Sequence, residues 1–154
     1  MRVIIQRVLK ADCIVNKEIV SSIHHGMMIL VGFTHTDSEK EIEQMALKIA
    51  KLRIFEDSNG KMNLSIQDVG GSILSISQFT LYANSKEGNR PSFIQAMNPK
   101  IASELYEIFN QKINSLGIPL VSGIFGADMK LDMICDGPVT CLLYTSPSPR
   151  DLST

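Results

Sequence analysis

A chain of 154 residues fits one domain with a sizeable core and is too short for two ordinary domains with separate cores. Apolar residues make up 44% and charged residues 20%, and a formal charge of -1 gives no global attraction to nucleic acid or to a membrane. The longest apolar run, 27–33, falls well short of the roughly 20 residues that span a bilayer, and the charged start Met1-Arg2-Val3-Ile4-Ile5-Gln6-Arg7 lacks a sustained apolar segment with a small-residue cleavage site, so a cytoplasmic location without a membrane partner is expected.

Residues 2–9 and 12–15 are rich in β-branched side chains and read as two short strands. Asn16-Lys17 then separates them from a strand over 18–23, as a hairpin turn does. The run 27–34 is a continuous apolar stretch ending near Gly32, the pattern of a central strand covered on both faces. Ser38 with Glu41 three residues on forms a capping box, and Ile42, Met45, Ala46, Ile49, Ala50 and Leu52 follow at helical spacing to about residue 53. After the turn Asp57-Ser58-Asn59-Gly60 come residues 61–68, the pair Gly70-Gly71 and an alternating strand over 72–78.

Residues 83–92 are polar, with Gly88 and Pro91, and form a loop long enough to carry function. Pro99 opens a second helix with Ile101, Leu105, Ile108, Phe109, Ile113 and Leu116 on one stripe, closed by Gly117 and Pro119. Strands around 120–124 and 129–135 flank the turn Phe125-Gly126-Ala127-Asp128. Strands outnumber helices and adjoin by both hairpins and crossovers, and no internal repeat is present. The expected fold is therefore α+β: one domain with a curved, barrel-like mixed sheet and two main helices.

Cys13, Cys135 and Cys141 cannot all pair within one chain, and none stands in a CxxC or Cys/His ligand spacing, so they read as small buried hydrophobes. His24 and His25 are adjacent and His35 follows a strand, so no pair has the i, i+4 spacing of a helical zinc site. Neither a metal nor another cofactor is expected.

Two segments are hard to explain by packing alone: Ser77-Gln78-Phe79-Thr80-Leu81-Tyr82-Ala83 at a strand end, and Asp136-Gly137-Pro138-Val139-Thr140 between two late strands. An exposed strand end at Ser77 to Thr80 offers backbone N–H groups, and Gln78 and Thr80 add side-chain hydrogen bonds, the equipment for stabilising charge on an ester oxygen. A base that would activate Thr80 is missing from its neighbourhood in sequence.

These two segments resemble the markers of the bacterial and eukaryotic D-aminoacyl-tRNA deacylase family. The resemblance extends over Arg2 to Val8, Leu52-Arg53-Ile54-Phe55-Glu56-Asp57, Gly60-Lys61-Met62-Asn63, Arg90-Pro91-Ser92-Phe93 and Phe125-Gly126-Ala127-Asp128-Met129, seven blocks in one order across 1–140. It implies an editing hydrolase that frees D-amino acids, and glycine from tRNA(Ala), with Ser77, Gln78, Phe79 and Thr80 as site residues. It also implies that the 2′-hydroxyl of the terminal tRNA ribose assists, so that Thr80 orients the ester; attack by Thr80 is the alternative. Gly137-Pro138 is implied to be a Gly-cisPro pair that enters the partner subunit's pocket and excludes L-side chains, with Arg7 bracing it. The partners are accordingly aminoacylated tRNA and a second copy of the chain in a C2 homodimer, with no DNA expected.

Phe125 and Met129 are candidate pocket-lining residues or plain core. Lys86, Arg90 and Lys100 are candidates for phosphate contacts or solvated charges. Two readings compete with the hydrolase: a non-catalytic tRNA-binding or RNA-binding module of the same fold, and the editing domain of a larger synthetase.

Two departures from the family stand out. Cys135 occupies a position where the family usually has Asn. The string Cys141 to Asp151 resembles the translation of a transposase adapter used in sequencing libraries, which puts the deacylase domain at 1–140 and a non-native tail at 141–154. Thr145 to Thr154 is then expected to be disordered, while Cys141 to Tyr144 has the composition of a strand. Independent, unamplified genomic reads from the same source are expected to lack the codons after Thr140, and their presence would refute an adapter origin.

Overall fold

The computed structural model describes residues 1–145, so most of the expected disordered tail, 146–154, lies outside the described residues. Strand β1, Arg2–Val15, turns through Asn16 and Lys17, both at positive φ, into β2, Glu18–Ile23. β3 is Gly26–Gly32, α1 is Glu39–Lys51, and the small strands β4 (Phe55–Glu56) and β5 (Met62–Leu64) pair with each other. β6, Ser72–Ser77, is followed by a 3-10 turn at Phe79–Tyr82; then come α2 (Pro99–Ser115), β7 (Leu120–Ser122) and β8 (Lys130–Tyr144).

The main sheet has six strands in the order β2-β1-β3-β6-β7, with β8 on the other edge of β1. β1 pairs antiparallel with β2, β3 and β8, whereas β3–β6 and β6–β7 are parallel, so the sheet is mixed as expected. One face of the sheet, through Val3, Ile5, Met27, Ile29 and Ile73, packs with the apolar stripes of α1 and α2. The curled inner face closes on Val8, Ala11, Cys13, Met28, Leu74 and Ile76. Both faces of β3 are thereby buried, which is why its sequence is apolar without a polar alternation.

Three details differ from the sequence expectation. Residues 2–9 and 12–15 are one strand, because the polar interruption near Lys10 is a register shift between Val8 and Lys10 and not a break. The strand expected over 72–78 ends at Ser77, and the following residues coil into the 3-10 turn. Asp136 to Thr140 does not separate two strands; it lies within the span of β8, whose ladder continues through Cys141 to Tyr144 opposite Ile5 to Arg2.

Within β8 the register jumps: Cys135 pairs with Val8 and Thr140 with Gln6, so residues 136–139 stand opposite Arg7 alone. Four residues facing one must bulge out of the ladder. The Gly137-Pro138 peptide bond in this bulge is cis, and Gly137 has φ +120, a region open to glycine. Arg7 is only 4% exposed and lies beneath the bulge. Its Nη1 donates to the Ile54 carbonyl at 2.7 Å and its Nε to the Asp136 carbonyl at 3.2 Å. Ion pairs to the Asp136 carboxylate at 3.3 Å and to Glu56 at 3.6 Å complete the set.

The start of α1 has the expected capping box: the amide and hydroxyl of Ser38 both donate to the Glu41 carboxylate, at 2.8 and 2.6 Å. These bonds, the Ser38 hydroxyl foremost, hold the Glu41 pKa below its ordinary 4.5. Ser38→Ala is expected to cost about 1 kcal/mol of unfolding free energy by urea titration. Because the folded-state pKa is depressed, the box contributes fully above pH 4.5 and less as pH falls through the folded value, so the wild-type and variant stabilities should converge in acid. Arg7→Met leaves the buried Ile54 carbonyl without its donor and is expected to cost about 2 to 3 kcal/mol. Lys at this position should recover little of that loss, since one ammonium cannot reproduce the guanidinium fork.

Candidate functional site

β6 lies between β3 and β7 and runs parallel to both, so its carboxyl end reaches the same end of the sheet as theirs. The Gln78 amide donates to the Val31 carbonyl at 2.7 Å and carries the ladder one residue beyond the strand. The chain then turns sharply, and Gly32 makes room for it: a Cβ there would lie 2.8 Å from the Gln78 carbonyl and 3.1 Å from Leu81 Cβ. Arg2 fastens the turn from β1, donating to the Leu81 carbonyl at 2.8 Å with its guanidinium 4.4 Å from the centre of the Tyr82 ring.

Beside this turn lies a cavity of about 640 Å³. Ser77, Gln78 and Phe79 form one wall, and Phe125, Gly126, Ala127 and Met129 form another. Pro99 and Ala102, from the first turns of α2, and Phe33 and Met97 add further apolar surface. Phe79 and Phe93, both exposed, meet edge to face with ring centres 5.0 Å apart. His35 is the one ionisable side chain in the lining, and its Nε2 is 2.6 Å from the Ile94 carbonyl, which requires a proton on that nitrogen. Such a space suits a small, mainly apolar group held by a few polar contacts.

Five of the nine candidate site residues thus share one cavity: Ser77, Gln78, Phe79, Phe125 and Met129. Thr80 is half-buried at its edge, and its hydroxyl accepts a hydrogen bond from Gln78 Nε2. Arg7, Gly137 and Pro138 are outside the lining; they form the separate bulge on β8, where Gly137 and Pro138 are exposed. Lys86, Arg90 and Lys100 are exposed, with Lys100 next to the lining residue Pro99. The loop bearing Lys86 and Arg90 is closed at its base by mutual hydrogen bonds between the Asn84 and Ser92 backbones, at 2.8 and 2.7 Å.

Sequence spacing did not single out Phe33, His35, Met97 or Ala102. The Met97 amide bonds to the Phe33 carbonyl at 3.1 Å and the Thr34 hydroxyl to the Gln95 carbonyl at 2.5 Å, contacts that join segments some 60 residues apart in the chain. Among the described residues, no group of three or more His, Cys, Asp and Glu side chains is placed to hold a metal ion. No helix among them is long and apolar enough to cross a membrane.

The family described as D-Tyr-tRNA(Tyr) deacylase matches residues 4–144. The chain is 52% identical over 143 residues to the D-aminoacyl-tRNA deacylase of Brevibacillus brevis, covering 93% of this chain and 99% of that one. It is 50% identical over 152 residues to the D-aminoacyl-tRNA deacylase of Chloroherpeton thalassium, covering 98% and 99%. A solved structure described as c-Myc DNA Unwinding Element Binding Protein superposes with a TM-score of 0.90 at 38% identity, covering 95% of this chain and 99% of that one. A second, described as "a probable eukaryotic D-amino acid tRNA deacylase", superposes with a TM-score of 0.81 over 92% and 97% of the two chains; at 18% identity it speaks for the fold alone. With the fold and the ordered blocks in agreement, the chain belongs to the D-Tyr-tRNA(Tyr) deacylase family, whose curated members are named D-aminoacyl-tRNA deacylase.

Proposed function

We propose that this chain is a D-aminoacyl-tRNA deacylase whose cavity beside the end of β6 receives the aminoacylated 3′ end of tRNA. The observation that carries the reading is the meeting of Ser77-Gln78-Phe79 with Phe125 and Met129 around one mainly apolar cavity, in a chain of this family. Water attacks the ester carbonyl, the carbon–oxygen bond to the ribose breaks, and free amino acid and tRNA leave. The protein's contribution is placement and stabilisation of the developing oxyanion by groups of the Ser77–Thr80 segment. Thr80, tied to Gln78, orients the ester and does not attack it; the ribose 2′-hydroxyl assists.

Handedness is read by main chain. A rigid backbone wall where an L-side chain must project rejects it by overlap, while a D-side chain or glycine fits, so glycyl-tRNA(Ala) is also a substrate. The bulge at 136–139, held from below by Arg7, is that wall for the cavity of a second copy. Three features support a C2 homodimer: the bulge is exposed, it stands apart from the cavity of its own chain, and among the described residues β8 pairs with β1 alone, with Ile134 half exposed along it.

Lys86, Arg90 and Lys100 would meet backbone phosphates of the tRNA end. The deacylase domain spans 1–140, with 141–154 adapter-derived, and the enzyme works in the cytoplasm. DNA binding, suggested by the name of the 38%-identical relative, fits less well with an apolar cavity and a net charge of -1.

Single-turnover assays on purified protein should show release of D-Tyr from tRNA(Tyr) with L-Tyr-tRNA left intact. Thr80→Ala should slow that release without abolishing it, and no acyl-enzyme should be trapped. Complete loss in Thr80→Ala together with a trapped acyl-enzyme in the wild type would make Thr80 the nucleophile. Absence of any D-selective deacylation would leave a tRNA-binding module as the better reading.

A further inference from the structure

Behind the cavity lies a buried polar cluster that the deacylation chemistry leaves unused. Ser75, two residues before the end of β6, is fully buried, and Tyr106 and Asn110 of α2 are 5% and 6% exposed. The Ser75 hydroxyl donates to Asn110 Oδ1 at 2.8 Å. The Ser75 carbonyl accepts twice, from the Tyr106 hydroxyl at 2.6 Å and from the Gly123 amide at 3.0 Å. Burial pushes the Tyr106 phenol pKa up, so the hydroxyl keeps its proton and remains a donor.

Each branch of this cluster leads to a different side of the cavity. β6 continues from Ser75 into Ser77, Gln78 and the following turn. Gly123 begins the segment that carries Phe125 and Met129, and it packs tightly: a Cβ there would lie 2.5 Å from Met129 Sδ and 3.0 Å from Ile76 Cδ1. The Tyr106 ring lies against Phe125, with centres 5.9 Å apart. Pro99, Ala102 and Tyr106 follow one another on one face of α2, so the helix that lines the cavity also holds its far wall from behind. Packing alone would be served by Phe at 106; the hydroxyl adds a bond to the carbonyl that also holds Gly123.

We infer that Tyr106 is a positioning residue for deacylation: by donating to the Ser75 carbonyl and backing Phe125, it locks the β6 end and the Phe125–Met129 wall into one body. The inference rests on the reading of this cavity as the aminoacyl site. A hydrolase that works by placement loses rate when its two walls shift relative to each other, even where the substrate still binds.

The test compares Tyr106→Phe with Ile113→Val, a buried change further along α2, in single-turnover release of D-Tyr from tRNA(Tyr) at a temperature where both remain folded. Tyr106→Phe is expected to lower the maximal rate about tenfold or more while the half-saturating concentration stays within about twofold. Ile113→Val is expected to retain the wild-type rate. Gly123→Ala, which presses on Met129 from the opposite side, should show the same split and keeps the test independent of one variant's folding. A fluorophenylalanine resonance assigned to Phe125 should also move in Tyr106→Phe. A wild-type rate in Tyr106→Phe, or an equal loss in Ile113→Val, overturns the inference. Phe79→Ala separates the two levels: if it loses activity while Tyr106→Phe does not, only the positioning role falls, and if neither loses activity, the cavity reading falls with it.

Discussion

With Arg7 only 4% exposed, its guanidinium has given up most of its hydration, at a cost on the order of several kcal/mol, and the fold around it is arranged to offset that cost. The acceptors come from separate parts of the chain: the Ile54 carbonyl and the Glu56 carboxylate at β4, and the carbonyl and carboxylate of Asp136 in β8. The same cation therefore sets where β4 lies and how far the bulge at 136–139 stands away from β1. Without acceptors on both sides the charge would be stranded. With them, a segment that breaks the ladder register is held by a buried group and not left to fray.

The two ends of the proposed chemistry are built by different means. At the cavity, parallel pairing of β6 with β3 delivers Ser77 and Gln78 to the sheet end, and Gly32 lets the following turn approach closely. Arg2 and the Gln78–Thr80 bond hold that turn. At the bulge, long antiparallel pairing with β1 on either side delivers Gly137 and Pro138 to the surface. β1 serves both: Arg2 at its start anchors the turn, and Arg7, five residues on, anchors the bulge. One strand thus fixes the spacing between a cavity and the wall that, in our reading, closes the same cavity in a second copy.

Much of this was legible in the sequence because local chemistry decided it. Ser38 and Glu41 start α1, Pro99 starts α2, and Asn16-Lys17 turns the first hairpin, each through bonds or backbone preferences that span only a few residues. The candidate residues Ser77 to Phe79, Phe125 and Met129 could be gathered from family resemblance, and they share one cavity. The less legible features are those set at a distance. Residues 10 and 11 looked like a break between two strands, although β1 runs through them with a register shift against β8. Phe33, His35 and Met97 reach the cavity only because the β3 exit pairs with 95–97, and no spacing rule joins those segments. Nothing local in the sequence joins Ser75 to Asn110; only the packing of α2 on β6 makes them partners.

Whether the bulge of one copy walls the cavity of another is decided by a crystal structure with a non-hydrolysable D-tyrosyl amide of 3′-amino-adenosine. Two copies related by a twofold axis are expected, with the amide carbonyl against the Ser77–Thr80 segment and Gly137 of the partner subunit at the mouth of the cavity on the side where an L-side chain would project. A ligand bound away from this cavity, or a Gly137-Pro138 bulge facing solvent with no neighbouring cavity near it, would contradict that arrangement.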